Sequence, residues 1–270
     1  MYNEMEHFWR KMIVADRDNI RLHPYPSEAL CLLAVLESGY ALQYIQDQTV
    51  AICLAAVQES GMALKYVHHQ TPDICRAAVM QNGEALQFVH DQTDDICLAA
   101  VHQNGRALVY VKKQTEDIRY AAVEENGEAL EFARLQTDNL CYNAVCSRPE
   151  ALRFVEEQTE DICRAAVRRD GLTLKYVENQ SEDICCKAIE ENPDALKYVQ
   201  AQFQTEQICR LALEKDGNAL RYVRHQTREL CELALENDED ALRYVVDRSL
   251  RKALAEKILE EEDDEEEDDE

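Results

Sequence analysis

A 22-residue periodicity constrains this chain of 270 residues more than any other feature. A Ser or Thr recurs at this interval, and a single interval of 24 residues interrupts the series before Thr205. Self-similarity at a fixed period is the signature of repeat proteins. We therefore predict ten complete repeats between residues 27 and 248, and we number each from its Ser or Thr as position zero. The first residues of the repeats are Ser27, Thr49, Thr71, Thr93, Thr115, Thr137, Thr159, Ser181, Thr205 and Thr227.

The first half of each repeat predicts an amphipathic α-helix. Position 3 is Ile or Leu, and position 4 is Cys in nine of the ten repeats. Position 7 is always Ala, and position 8 is Val, Ile or Leu. Apolar residues at this spacing form one face of an α-helix. The Ser or Thr before them is a favoured N-cap, and acidic residues such as Asp73 in the first turn complement the helix dipole.

The second half predicts another helix. Position 11, for example Asn82, suits an N-cap, and position 12 is Gly in seven repeats and Pro in two. Because Pro cannot adopt a positive φ but is welcome as the first helical residue, position 12 is expected to begin this helix. Ala, Leu and an aromatic residue follow at positions 14, 15 and 17, and a recurring Gln such as Gln70 marks the expected end.

Helices of roughly nine residues are too short to be stable alone, so neighbouring repeats must stack. The predicted fold class is therefore all-α, an α-solenoid of ten 22-residue two-helix repeats. Residues 1–26, with one amphipathic segment, are expected to form an N-terminal capping helix, and residues 249–259 a C-terminal one. Residues 260–270 are all Asp or Glu, which predicts a disordered acidic tail.

The segments 73–86 and 95–108 resemble the "domain of unknown function 4116" repeats, because Cys, Ala-Val, Asn-Gly and Ala-Leu recur in phase. The resemblance extends over about residues 27–248. The repeats that begin at Thr137 and Thr227 depart most from the pattern. The resemblance implies helical repeats and supplies no activity.

Composition argues against several functions. The net charge of −25 speaks against direct nucleic-acid binding, which depends on Lys and Arg. The chain has no signal peptide and no membrane segment, so an intracellular protein, cytoplasmic or nuclear and not secreted, is expected, with its eleven cysteines reduced. No catalytic arrangement, metal-ligand motif or cofactor loop stands out, which favours a protein that is not an enzyme and has no cofactor.

The cysteines at position 4 fall one per repeat on the buried face, which favours packing over metal binding. Cys146 and Cys186 lie outside this series and are the better candidates for reactive thiols. Arg119 replaces Cys in one repeat and either extends into solvent beside Glu124 or Glu125, which we favour, or marks an irregular repeat. The aromatic residues at position 17 could offer a stacking platform for bases, but their place beside the apolar positions favours packing.

Five consecutive repeats place a basic residue at position 16. This basic row is either a surface for a partner or a set of pairs within each helix, with Glu150, Asp194 and Asp240 three residues earlier. The residues of the row are Arg153, Lys175, Lys197, Arg221 and Arg243.

The leading hypothesis for function is a monomeric, non-enzymatic scaffold that binds a protein or peptide along one face of the solenoid. An alternative is an acidic decoy or chaperone that binds basic proteins, such as histones, through its tail. A third hypothesis is an enzyme with its site in the groove. The tail residues proposed for the second role begin with Glu260, Glu261, Glu262, Asp263 and Asp264.

Overall fold

A computed structural model describes the backbone of residues 2–268 and the side chains of residues 5–259. All regular elements in this range are helices, either α or 3₁₀, which confirms the predicted all-α class. The chain divides into two compact units, Met1–Ser147 and Arg148–Glu270. Within each unit, helices that follow one another in the sequence contact each other, as expected for a repeat protein. The last helix, Arg248–Asp268, runs into the acidic segment 260–270, so the predicted disorder of this segment is not confirmed; the side chains of residues 260–270 lie outside the described range.

The first unit alternates α-helices with short 3₁₀ helices. Its α-helices are α1 (Tyr2–Ala15), α2 (Glu28–Glu37), α3 (Val50–Glu59), α4 (Pro72–Gln81), α5 (Asp94–Gln103), α6 (Glu116–Glu125) and α7 (Asp138–Ser147). Its 3₁₀ helices are Arg17–Leu22, Gly39–Tyr44, Gly61–Tyr66, Gly83–Phe88, Gly105–Tyr110 and Gly127–Phe132.

The second unit follows the same alternation. Its α-helices are α8 (Glu160–Arg169), α9 (Glu182–Glu191), α10 (Glu206–Leu213), α11 (Arg228–Asn237) and α12 (Arg248–Asp268). Its 3₁₀ helices are Pro149–Phe154, Gly171–Tyr176, Pro193–Tyr198, Ala201–Phe203, Gly217–Tyr222 and Glu239–Tyr244. The extra turn Ala201–Phe203 falls in the 24-residue interval and takes up its two additional residues.

The first helix of a repeat is built as its sequence predicts. In α4 the hydroxyl of Thr71 accepts a hydrogen bond from Ile74 N at 3.3 Å, which satisfies one of the free N–H groups of the first turn. The side chains of Ile74, Cys75, Ala78 and Val79 are at most 4% exposed. The apolar face of this helix therefore forms the core.

The second helix of a repeat is shorter and tighter than predicted. It spans six residues and has i→i+3 hydrogen bonds, for example from Ala85 N to Asn82 O at 2.9 Å and from Val89 N to Leu86 O at 3.1 Å. The prediction of a longer helix that ends near the Gln is wrong. Apolar residues at positions 14, 15, 17 and 18 recur every third residue, which fits the roughly three residues per turn of a 3₁₀ helix as well as a short stretch of α-helix. The spacing alone therefore does not decide the helix type.

The start of this 3₁₀ helix is as predicted. Asn82 is the N-cap, and its side chain accepts a hydrogen bond from Glu84 N at 3.0 Å. Gly83 follows at position 12 with a negative φ, and no glycine of the described residues has a positive φ. A Cβ at Gly83 would lie 2.6 Å from Ala100 O, so glycine is needed there for the close approach of the next helix.

The Gln before each Ser or Thr joins successive repeats. The side-chain Nε2 of Gln92 donates to Tyr110 O at 3.0 Å, and its Oε1 accepts from Lys112 N at 2.8 Å. The thiol of Cys97 also donates to that Oε1, at 3.8 Å. We call this arrangement the Gln clamp. Both its donor and its acceptor meet main-chain atoms of the following repeat, so they hold it in a fixed register.

The same clamp recurs throughout the two units. At Gln48 the two distances are both 2.9 Å, and at Gln204, after the 24-residue interval, they are 3.0 and 2.8 Å. The interval therefore changes the preceding loop and leaves the clamp intact. Other clamps with both bonds involve Gln70, Gln114, Gln158, Gln180 and Gln226.

Arg119 does not extend into solvent as expected. Its side chain is only 8% exposed, and its guanidinium donates to Gln114 O at 2.7 Å. The carbonyl of the residue that carries the clamp therefore accepts the bond, and neither Glu124 nor Glu125 forms an ion pair with Arg119. Long side chains can follow the groove between helices when a carbonyl is within reach of the charged end.

Candidate binding surface

The basic row lies within the second unit, on the exposed side of its 3₁₀ helices. In a 3₁₀ helix residues three apart are eclipsed, so positions 13 and 16 share one edge while positions 14 and 17 share another. The backbone of position 16 therefore turns its side chain outward. All five side chains of the row are exposed, and the aromatic side chains at position 17 beside them are half-buried.

Each cation of the row stacks on the ring that follows it in sequence. Distances from the cationic centre to the ring centroid are 4.4 to 4.8 Å, within the range in which the ring quadrupole attracts a cation. The five pairs are Arg153 with Phe154, Lys175 with Tyr176, Lys197 with Tyr198, Arg221 with Tyr222 and Arg243 with Tyr244. We call this alternation of cations and rings the cation–aromatic stripe.

The stripe is continuous between some of its repeats. Lys197 also lies 6.0 Å from the centroid of Tyr222, and Arg221 lies 5.9 Å from that of Tyr244. These two cations therefore each contact two rings, one from their own repeat and one from the next. A charge held between two rings has less freedom than an isolated surface Lys or Arg, which lowers the entropy cost of binding an anion.

The sequence left open whether the row pairs with acidic residues of the same helix. Asp194 does not pair with Lys197 three residues later but with Arg221 of the next repeat, at 2.8 Å. The side-chain hydrogen bond with Asp194 raises the pKa of Arg221. Arg243 in turn donates to Asn218 at 3.2 Å. In the second unit these contacts join successive repeats.

Two cations of the stripe keep their charge free for a ligand. Lys175 and Lys197 form no ion pair within the described residues. A lysine is protonated at neutral pH, and contact with the hydroxyl of Tyr176 raises the pKa of Lys175 further. The stripe can therefore offer positive charge to a carboxylate or phosphate and a ring face to apolar groups.

The cysteines at position 4 are structural. All eleven cysteines are free, and the nine at position 4 are buried. Burial raises the pKa of Cys97 to about 11, with a further increase from Asp94. A thiolate is the reactive form, so a buried thiol such as Cys97 stays protonated and unreactive at neutral pH.

Cys186 lacks the environment of a reactive thiol. Its pKa is raised first by burial and then by acidic neighbours, of which Glu182 contributes most. Reactive cysteines have lowered pKa values. The hypothesis of a reactive thiol at Cys186 is therefore not supported, and Cys146, which is half-buried, stays a sequence-based candidate.

Other classes of site have no support within the described side chains. No three His, Cys, Asp or Glu side chains are grouped in a way that could hold a metal ion. Among the described residues, no helix is long and apolar enough to cross a membrane. The tail residues proposed from sequence, 260–264, have side chains outside the described range.

The Gln clamp is the feature that sequence reasoning missed. A Gln precedes the Ser or Thr of nine successive repeats, which is a stronger regularity than the Cys at position 4, where Arg119 interrupts the series. A long polar side chain that recurs at one position in nine successive repeats indicates a hydrogen bond that each repeat needs.

Comparison with protein families supports the resemblance suggested by the repeats. The family model described as Domain of unknown function (DUF4116) matches residues 51–93 and residues 72–116. Residues 51–116 are thus similar to the repeats of this family. The two matches are offset by about one 22-residue period, and both lie in the first unit. No curated protein and no solved structure is significantly similar to this chain. The DUF4116 match gives the repeat class and no activity.

Proposed function

We propose that residues 27–248 are a ten-repeat α-solenoid and that the chain is a non-enzymatic scaffold for a protein or peptide. The observation that carries this proposal is the cation–aromatic stripe. It repeats with the period of the fold, so each six-residue 3₁₀ helix from Pro149–Phe154 onward offers one cation and one ring. Such spacing suits an extended chain that contacts several repeats in turn.

The chemistry of the stripe favours a partner segment with carboxylates or phosphates next to apolar residues. A cation over a ring keeps its attraction for an anion while its stem and the ring form an apolar surface. Arg221 already forms an ion pair with Asp194, so Lys175 and Lys197 are the main anion-binding residues in this proposal.

The test selects peptides on the full chain from a displayed library and measures their affinity by calorimetry. We expect selected peptides to be rich in Asp or Glu next to aromatic or aliphatic residues. The variant Lys175→Gln/Lys197→Gln should weaken binding at least tenfold. The matched control, Arg169→Gln/Lys215→Gln, removes the same charge from exposed positions outside the stripe and should change affinity less than twofold. Equal losses in both variants, or no selected peptide, would overturn the proposal.

A second candidate function rests on the eleven consecutive acidic residues 260–270. We propose that this segment binds basic proteins by charge attraction, which weakens as salt rises. The test compares the full chain with a chain that ends at Leu259 and with one in which residues 260–270 are Asn or Gln. Binding of a histone mixture should be lost in both altered chains. Retention by either one would contradict this role.

A further inference from the structure

The N-terminal segment has the build of a repeat. It places α1 (Tyr2–Ala15) before the 3₁₀ helix Arg17–Leu22, with Asp16 as N-cap and its side chain accepting from Asp18 N at 3.0 Å. Ile20 is 1% exposed and lies 22 residues before Leu42, which is fully buried. The bend after Leu22 has the same pattern of turns as the bend after Tyr44. The segment therefore follows the same register as the repeats after it.

This register places Pro26 where the other repeats have the Gln of the clamp. Pro26 lies 22 residues before Gln48, immediately before Ser27. Gln48 binds the next repeat in the usual way, with Nε2 donating to Tyr66 O and Oε1 accepting from His68 N, both at 2.9 Å. Proline has no side-chain amide, so the junction between the N-terminal segment and the repeat that begins at Ser27 lacks these two hydrogen bonds.

The atoms that a clamp would bind at this joint are Tyr44 O and Gln46 N. Within the described part of the chain, neither one has a hydrogen-bond partner. The thiol of Cys31 likewise lacks the Gln acceptor that Cys53 has in Gln48. The two main-chain atoms that the later Gln clamps bind therefore have their counterparts here, but no Gln amide binds them.

These atoms belong to residues that line an open cleft of about 400 Å³. Volumes of roughly 300–1,000 Å³ are typical of sites for small ligands and side chains. Cys31, Tyr44, Ile45 and Gln46 line the cleft together with residues 23–26. The cleft thus occupies the place that a Gln side chain fills at the later joints.

We propose that this cleft binds a primary carboxamide, such as the side chain of Gln, supplied by a partner peptide or by a small molecule. The carboxamide NH₂ would donate to Tyr44 O, and its oxygen would accept from Gln46 N, as the chain's own Gln residues do at later joints. This chemistry goes beyond the cation–aromatic stripe, which lies in the other unit.

The donor and acceptor pair determines the ligand class. A carboxylate only accepts and an ammonium group only donates, so each leaves one of the two main-chain atoms unsatisfied, whereas a primary carboxamide satisfies both. Asp47 and Glu28 also line the cleft. Their charges contribute to the raised pKa of Cys31, after burial as the larger cause. Arg21 lines the cleft as well, so the choice of a carboxamide rests on the donor and acceptor pair and not on the charge of the lining.

The first experiment follows the backbone amide signal of Gln46 by nuclear magnetic resonance in the full chain. The probe is N-acetyl-glutamine methylamide, and the matched control is N-acetyl-glutamate methylamide. We expect the Gln46 signal to shift and saturate with the first compound and to shift at least tenfold less with the second. No saturable shift with the glutamine compound, or equal shifts with both, would overturn the proposal.

The second experiment uses Pro26→Gln, which supplies the missing amide within the chain. We expect its thermal midpoint to exceed that of Pro26→Ala by several degrees and the Gln46 signal to stop responding to the probe. Equal midpoints together with an unchanged response would contradict the proposed geometry. Because the nuclear magnetic resonance titration of the unaltered chain needs no variant, poor folding of Pro26→Gln would leave that test intact.

A third measurement distinguishes the two sources of the carboxamide. A nine-residue peptide with one central Gln and methylamide at its C-terminus is titrated against the single amino-acid derivative. Tighter binding of the peptide, by tenfold or more, would assign the site to a partner chain. Equal affinities would assign it to a small carboxamide. Failure of both would refute the site and leave the test of the cation–aromatic stripe unaffected.

Discussion

The side-chain amide of Gln92 holds the main chain of Tyr110, eighteen residues further on, with Nε2 donating to the carbonyl oxygen at 3.0 Å. The partner atom is a backbone carbonyl, so this joint depends little on the side chain at position 110. Each Gln clamp thus combines one donor and one acceptor in a single side chain.

Gln92→Ala should lower the free energy of unfolding by about 2 kcal/mol. It removes the partners of Tyr110 O and Lys112 N, and an unsatisfied polar group costs about 1–3 kcal/mol when buried. Urea unfolding followed by circular dichroism measures the loss. The control is Gln43→Ala, since exposed Gln43 donates only to Tyr40 O within its own 3₁₀ helix. Equal losses in the two variants would show that the clamp contributes nothing specific.

Gly83→Ala should destabilise the chain by about 1–3 kcal/mol, the usual cost of overpacking. The new methyl group would lie 2.6 Å from Ala100 O and 2.9 Å from Gln103 Oε1, so the next helix must move. The matched control is Glu239→Ala at the same position of the last predicted repeat, where the side chain is exposed. Thermal unfolding should shift for the first variant and stay within about one degree for the second. A neutral Gly83→Ala would mean that the next helix gives way freely.

The free energy of unfolding should fall as pH rises from about 9 to about 11. Burial raises the pKa of Cys97 from 9.0 to about 11, and several other position-4 thiols are raised in the same direction. The unfolded thiol therefore loses its proton at a lower pH than the folded one, so the unfolded state is favoured between these values.

The contribution of one thiol can be isolated by comparing slopes. Urea unfolding of the unaltered chain, of Cys97→Ala and of Gln43→Ala is measured at pH 8, 9, 10 and 11. The fall with pH should be shallower in Cys97→Ala than in the unaltered chain, whereas Gln43→Ala, which removes no titratable group, should retain the full slope. Identical slopes in all three proteins would assign the alkaline loss of stability to groups other than Cys97.

Arg119→Cys should raise the thermal midpoint. The guanidinium is 8% exposed and is bound by a neutral carbonyl without a carboxylate partner among the described side chains. A buried charge without a counter-charge carries a desolvation cost, and Cys restores the residue found in the other nine repeats. Arg119→Met, which keeps the apolar stem and removes the charge, is the control. A lower midpoint in both variants would show that the bond to Gln114 O outweighs the desolvation cost.

The ion pair of Arg221 with Asp194 should have a small coupling energy. At 34% exposure for each side chain, we expect about 0.5–1 kcal/mol at low salt, at the upper end for exposed pairs. A double-mutant cycle with Arg221→Met and Asp194→Asn measures it, and 1 M NaCl should reduce it. A coupling energy near zero at low salt would indicate that stacking on Tyr222 and Tyr244 holds the Arg221 side chain without Asp194.

The sequence predicted the α-helices well because their signals are local. Thr71 as N-cap and the spacing of Ile74, Cys75, Ala78 and Val79 are sufficient to define α4. The 3₁₀ helices were harder to predict from the sequence, because apolar residues at positions 14, 15, 17 and 18 fit a short stretch of either an α-helix or a 3₁₀ helix. Their true length depends on the Gln clamp, which requires an extended main chain after Phe88 so that Gln92 can bind the next repeat.

Two features of the surfaces depend on distances between repeats, which a single sequence does not contain. The basic row was visible as five residues, but its stacking between rings of successive repeats was not. The open joint at Pro26 required knowing what Gln48 does in the next repeat. Arg119 was misplaced because a carbonyl acceptor within reach of a buried guanidinium leaves no mark in the sequence.

The main-chain targets of the Gln clamp bear on how a chain of this kind changes length. Because the Gln side chain binds only a backbone carbonyl and a backbone N–H, it can bind any following repeat that has the same local backbone conformation. Duplication or deletion of a 22-residue block would thus create a new junction with its hydrogen bonds already in place. The two inserted residues before Gln204 show that even the spacer tolerates change, provided that the Gln reaches Tyr222 O, as it does at 3.0 Å.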